Sequence, residues 1–138
     1  MIPHQATAVA IGGRALLIEG PPGTGKSSLA LALIDRGAAL IGDDGVMLEV
    51  SDGQLLVHPH PNTRGLLEVR NLGLLRFEPC ESGAVALVLR LDREAPRFIE
   101  ATETAERAGV ALPMLRLWPD SPVLAIKAEL ALQKFGLA

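Results

Sequence analysis

Apolar residues in this chain gather into short runs broken by glycine, proline and aspartate, and the period inside each run predicts an element. Residues 5–11 partly alternate, with β-branched Thr7, Val9 and Ile11 on one side, which predicts a strand. Gly12-Gly13 follows between two apolar runs, a two-residue hairpin signal, so residues 14–19 should return antiparallel. The spacing then becomes helical: residues 27–36 place Leu29, Ala30 and Leu33 on one stripe, and Gly37 stops the run. Ala38-Ala39-Leu40-Ile41 reads as a short buried strand. Residues 46–50 and 54–58 flank Ser51-Asp52-Gly53 and predict a second hairpin, after which Pro59 and Pro61 make 58–62 a loop. Residues 66–70 alternate as a strand closed by Asn71-Leu72-Gly73, and 84–91 is apolar almost throughout, as a central strand covered on both faces would be. Residues 100–108 fit a helix or a strand pair, and the pattern alone leaves both open. Ser121-Pro122 reads as the cap and first turn of a final helix over 123–135. A hairpin ahead of helix-linked strands predicts an α/β fold around a mixed β-sheet with flanking helices.

The stretch that carries chemistry joins the second arm of the first hairpin to the first helix. Gly20-Pro21-Pro22-Gly23-Thr24-Gly25-Lys26-Ser27 is a complete G-x-x-x-x-G-K-S phosphate loop, set between an apolar strand and a helix. Its glycines let successive backbone N–H groups face an anion, and the helix N-terminus adds a positive dipole end. Lys26 would reach the β/γ-phosphates of a nucleoside triphosphate as a point charge, and the Ser27 hydroxyl would hold Mg²⁺.

The next predicted strand ends at Asp43-Asp44, and in an open sheet that end lies at the same edge as the loop. Adjacent residues leaving a strand point in opposite directions, so one aspartate can face the γ-phosphate while the other turns away. Glu68 and Arg70, two apart, would share a face, either as a metal-binding carboxylate beside a phosphate-binding guanidinium or as a solvated pair. His58 and His60 belong to the proline-rich loop, and their spacing is poor for a metal. Trp118 and Phe135 read as core or interface residues.

Composition narrows the setting. The 138 residues are expected to form a single domain over 1–138, and the apolar fraction of 49% suits a buried α/β core. A net charge of −3 argues against nucleic acid as a non-specific partner. Cys80 is the single cysteine, expected as a half-buried thiol without a disulfide or zinc cluster. The start does not resemble a signal peptide and no apolar run reaches membrane-span length, so a cytoplasmic protein without a membrane partner is expected.

Taken together, these residues resemble the catalytic domain of the HPr kinase/phosphorylases, which act on a serine of the phosphocarrier protein HPr. The likeness runs from about residue 4 to 75. It rests on His4 in a hairpin just before the loop, Gly20–Ser27 with its helix and Asp43-Asp44, and Glu68-Val69-Arg70-Asn71-Leu72-Gly73, with asparagine where the family signature has its first glycine. The resemblance implies a phosphoenolpyruvate-carboxykinase-like nucleotide-binding fold, ATP and Mg²⁺, and an HPr-like phosphocarrier as partner. It implies Asp44 as the base for the acceptor serine with Asp43 in support (their order left open), His4 beside that centre, and Ser27 with Glu68 on the metal. Longer members carry an N-terminal domain that this sequence is expected to lack. They also have a Pro-Gly-Arg-Asn loop before the last helix, where this chain has Leu117-Trp118-Pro119-Asp120-Ser121-Pro122, with Arg116 nearby but outside the motif. The forward kinase reaction is therefore the expectation. Phosphorolysis, and the order of a homo-oligomer, stay open. A small-molecule phosphate-loop kinase and a non-catalytic ATP sensor are the alternatives; the first usually has an Arg-bearing lid, which this sequence does not define.

Overall fold

A computed structural model describes all residues from Met1 to Ala138. Its frame is a nine-stranded mixed sheet, ordered β1-β5-β6-β9-β3-β2-β4, with β11 beside β9 and β10 beyond it. The strands are β1 (Ile2–His4), β2 (Thr7–Ile11), β3 (Arg14–Glu19), β4 (Ala39–Gly42), β5 (Val46–Ser51), β6 (Gln54–Pro59), β9 (Gly83–Leu91), β10 (Glu103–Arg107) and β11 (Val110–Leu117). A separate hairpin joins β7 (Leu66–Val69) to β8 (Gly73–Arg76), and the helices are α1 (Lys26–Asp35) and α2 (Leu124–Phe135).

The predicted hairpins form, β2 with β3 and β5 with β6, and α1 buries Leu29, Ala30 and Leu33 as its spacing requires. The central strand is β9. It runs parallel to β3 along one edge, while on the other it meets β6 near its start and β11 near its end. Its near-continuous apolar run follows from two cores. Leu87, Leu89 and Leu91 face α1 and α2, while Val85 and Val88 face a second cluster built by the curled sheet itself, with Leu48, Leu55 and Leu112.

The structure departs from the sequence reading at several places. His4 lies on the short strand β1, which pairs with β5, so it is not part of the hairpin that precedes the loop. β6 runs on to Pro59, opposite Val46. That residue is past the end of the β6–β9 pairing, so proline's missing N–H is not required there. Residues 73–76 return as β8, where the sequence reading had only a closing turn. The open region resolves as the antiparallel pair β10–β11. Ser121 is not the α2 cap; Val123 is, with the Val123 N–H donating to the Ser121 hydroxyl at 3.3 Å. Trp118 is half exposed rather than core, and its indole N–H donates to the Ala95 carbonyl at 2.6 Å. Cys80 is half-buried, as expected. No helix is long and apolar enough to cross a membrane.

Candidate active site

Strand direction brings the chemistry to one edge. β3 is antiparallel to β2, and β2 to β4, so β4 runs the same way as β3 at one remove. Glu19, which ends β3, and Gly42, which ends β4, therefore lead into their loops at the same edge of the sheet. Gly42 is required by space: a Cβ there would lie 2.8 Å from the Gly45 carbonyl oxygen and from Val46 Cγ1. The turn it permits holds Asp44 at φ 59°, a left-handed conformation that aspartate tolerates better than most residues.

The phosphate loop is ready for an anion. A Cβ on Gly20 would sit 2.9 Å from Thr24 Oγ1 and 3.1 Å from the Leu91 carbonyl oxygen, so the loop closes against β9 only with glycine there. The Thr24 hydroxyl donates to the Pro21 carbonyl at 2.7 Å and fixes the curl. α1 begins without a side-chain cap and without an acidic residue in its first turn, which leaves its first N–H groups to a ligand. The Lys26 ammonium donates to the carbonyls of Gly20 at 2.9 Å and Pro21 at 3.2 Å, within reach of the loop mouth.

The two aspartates have different surroundings. Asp43 is buried and accepts three hydrogen bonds: from Ser27 Oγ at 2.6 Å, from Thr7 Oγ1 at 3.0 Å and from the Glu68 N–H at 3.2 Å. Asp44 is exposed; its N–H donates to Thr7 Oγ1 at 3.3 Å, and its carboxylate is bonded to no protein group. Thr7, fully buried on β2, thus braces both residues, a role its sequence position did not signal. Thr7→Val leaves Asp43 short of a donor, and should cost about 1–3 kcal/mol, seen in a thermal melt as a fall of roughly 3–12 °C.

A cavity of about 460 Å³ opens between these groups. Residues 22–28, Thr7, Asp43 and Asp44 line it, together with Glu68 and Arg70 from the β7–β8 hairpin. Arg93 and Asp120, joined at 3.3 Å, complete the rim with Pro119. The predicted set is thus brought together except for His4. That residue lines an adjoining cavity, which shares Pro22, Lys26 and Asp44 with the first. Arg116, the arginine nearest the missing motif, is held away from the first cavity by Asp92 at 3.0 Å and Glu103 at 2.9 Å.

Behind the loop, sequence reasoning missed an ion-pair cluster. Glu19 accepts from His4 Nε2 at 2.8 Å and from both arms of Arg107, at 2.9 and 2.6 Å. Burial alone would raise its pKa, but the Arg107 fork and His4 outweigh it and hold it at about 2, below the ordinary 4.5. A carboxylate closing an apolar strand was the available signal; Arg107 lies 88 residues away and gave none. Because the folded-state pKa is depressed, the stabilisation is present above the unfolded value and is lost as pH falls from 4.5 towards 2. Urea unfolding should lose about 3 kcal/mol over that window, and Glu19→Gln should flatten the dependence.

A family model described as the HPr serine kinase C-terminal domain matches residues 2–80. An HPr kinase/phosphorylase from Clostridium beijerinckii is 46% identical over 67 residues, which is 49% of this chain and 22% of that protein. One from Bordetella petrii is 47% identical over 64 residues, 46% of this chain and 21% of that protein. The matched region is thus well under two thirds of these relatives' length. The solved structure of the Hpr(Ser) kinase/phosphatase from Coxiella burnetii superposes with a TM-score of 0.85 at 22% identity, covering 96% of this chain and 95% of that one. That likeness is one of fold, the phosphoenolpyruvate-carboxykinase-like arrangement expected from the sequence.

Proposed function

The chain belongs to the HPr serine kinase C-terminal domain family, and on that premise we propose that it transfers the γ-phosphoryl group of ATP to a serine of an HPr-like phosphocarrier protein. The observation that carries this reading is the division of labour between the aspartates: Asp43 is saturated by three donors beside the phosphate loop, and Asp44 stands free at the cavity mouth.

In this reading the N–H groups at the start of α1 bind the β-phosphate, and Lys26 leaves the Gly20 and Pro21 carbonyls to meet the β/γ-phosphates. The acceptor Oγ attacks the γ-phosphorus while its proton passes to the Asp44 carboxylate. The bond from that phosphorus to the β,γ-bridging oxygen breaks, and its electron pair leaves on ADP. Arg70, exposed in the cavity wall, balances charge on the transferring group.

The residues fit Mg²⁺. The donors at the cavity are hydroxyl and carboxylate oxygens, hard ligands that suit an ion taking one or two carboxylates and completing its shell with phosphates and water. The Ser27 hydroxyl, oriented by Asp43, and the Glu68 carboxylate would hold it. When bound, it supplies charge neutralisation at the β- and γ-phosphate oxygens. His4 acts through Glu19 and the second cavity.

With Arg116 engaged by Asp92 and Glu103, the forward reaction is favoured over phosphorolysis. The proposed setting is cytoplasmic. A homo-oligomer of undetermined order is supported by Val123, Ile126 and Leu130, which form an exposed apolar stripe running from the start of α2. The test is ADP formation with ATP and Mg²⁺ in the presence of an HPr-like protein or its serine-to-alanine variant. Acceptor-dependent turnover lost with the serine supports the proposal. ATP binding without turnover would favour a sensor, and turnover with a small alcohol alone a small-molecule kinase.

A further inference from the structure

The strands β3, β9 and β11 run parallel, and all three end at the edge where the phosphate loop lies. Ligands of such sheets bind outside the carboxyl ends of the strands. Across that edge the order is β11-β9-β3-β2-β4, so β3, which feeds the loop, stands between two sides. Asp43 and Asp44 follow β4 on one side. Arg93 follows β9 on the other, as Pro119 and Asp120 follow β11, and all five residues line the same cavity. With the phosphates on the loop and the transfer end at Asp44, the nucleoside runs towards β9 and β11. There the lining gives a base little to rest on: prolines apart, it contains no aliphatic or aromatic side chain, and bases are held by apolar and π surfaces.

The chain has four aromatic residues, and Phe77 and Phe135 pack against the core. Phe98 stands farther along the loop than Arg93. Trp118 directly precedes Pro119 at the rim and is 45% exposed. Its setting is rigid. The Asp92 N–H donates to the Leu117 carbonyl at 2.9 Å, Arg93 pairs with Asp120 at 3.3 Å, and the Trp118 indole N–H donates to the Ala95 carbonyl at 2.6 Å. These bonds staple the two loops together and fix the indole before a ligand arrives, so stacking on it costs little ordering entropy. The Lys127 ammonium lies 6.0 Å from the ring centroid, at the limit of a cation–π contact, and takes at most one face of the ring.

We infer that the Trp118 ring is the stacking platform for the base of the bound nucleotide. The inference rests on the nucleotide-binding part of the kinase reading. Trp118 is the single tryptophan and the chain has no tyrosine, so intrinsic emission reports this ring alone. ADP and pyrophosphate, each with Mg²⁺, are titrated into the full chain while tryptophan emission and binding heat are recorded. Both should bind at the phosphate loop, but only ADP should quench the emission. Trp118→Ala should weaken ADP binding about 10- to 100-fold and leave pyrophosphate affinity unchanged. Trp118→Phe gives up the bond to Ala95 but keeps a ring, so it should recover most of the ADP affinity, which a merely structural role would not. Equal emission changes with the two ligands, unchanged ADP affinity in Trp118→Ala, or a Trp118→Phe variant as weak as Trp118→Ala overturns the site. The emission comparison uses the wild type alone, so it decides the matter even where a variant melts early. A wild type that binds neither ligand would instead contradict the kinase reading and remove the base site with it.

Discussion

Asp44→Asn is expected to slow phosphoryl transfer to the acceptor serine by about 10²–10⁴-fold, the span of a positioned general base, with affinity for ADP and Mg²⁺ unchanged. Asparagine keeps the volume and tolerates the left-handed backbone at this position, where φ is 59°, so the turn should survive. It also keeps the backbone N–H that donates to Thr7. Only the proton acceptor is removed. The neighbouring Asp43→Asn should behave differently. It replaces an acceptor bonded by Ser27, Thr7 and the Glu68 N–H, so nucleotide binding and thermal stability should fall together. Measured side by side, the two variants separate the base from the brace: a rate defect alone for Asp44, and binding with stability for Asp43.

The second large effect is expected from Lys26→Ala. The ammonium is held at the loop mouth by two carbonyls and lines both cavities, so its loss removes the cation that meets the β/γ-phosphates in the proposed reaction. Removing a single preorganised donor to developing charge typically costs about 10²–10³ in rate, and here weaker ATP binding should add to it. Because the side chain is at the cavity and not in either core cluster, the thermal midpoint should stay close to that of the wild type. A quenched-flow measurement of single-turnover transfer at saturating ATP isolates the rate effect. Transfer at the wild-type rate would remove Lys26 from the transition state.

The chemistry was legible where it was local. Gly20–Ser27 states its own geometry, since glycine at 20 is needed for close approach to β9 and the helix that follows begins uncapped. Asp43-Asp44 gave the pair but not the roles, because these depend on which carboxylate Thr7 and Ser27 engage, and Thr7 is 36 residues from Asp43. The strands β2, β3, β4 and β9 were readable from alternation and apolar runs. β10 and β11 were not: β10 alternates only weakly, and strand pairing was decided by β11 docking along the end of β9. β1 escaped because three residues carry too little period, and its partner β5 is contributed from far along the chain. The Glu19–Arg107–His4 cluster was hidden for the same reason. It depends on strands that meet only in the folded sheet.

The central claim, that this loop and Asp44 serve transfer to a protein serine, is tested most directly by the intact mass of an HPr-like phosphocarrier after incubation with the wild-type chain, ATP and Mg²⁺. The account predicts the addition of one phosphoryl group, mapped by fragmentation to a serine and nearly absent with Asp44→Asn. ATP consumed with the phosphocarrier unmodified, or equal labelling by Asp44→Asn, would contradict it.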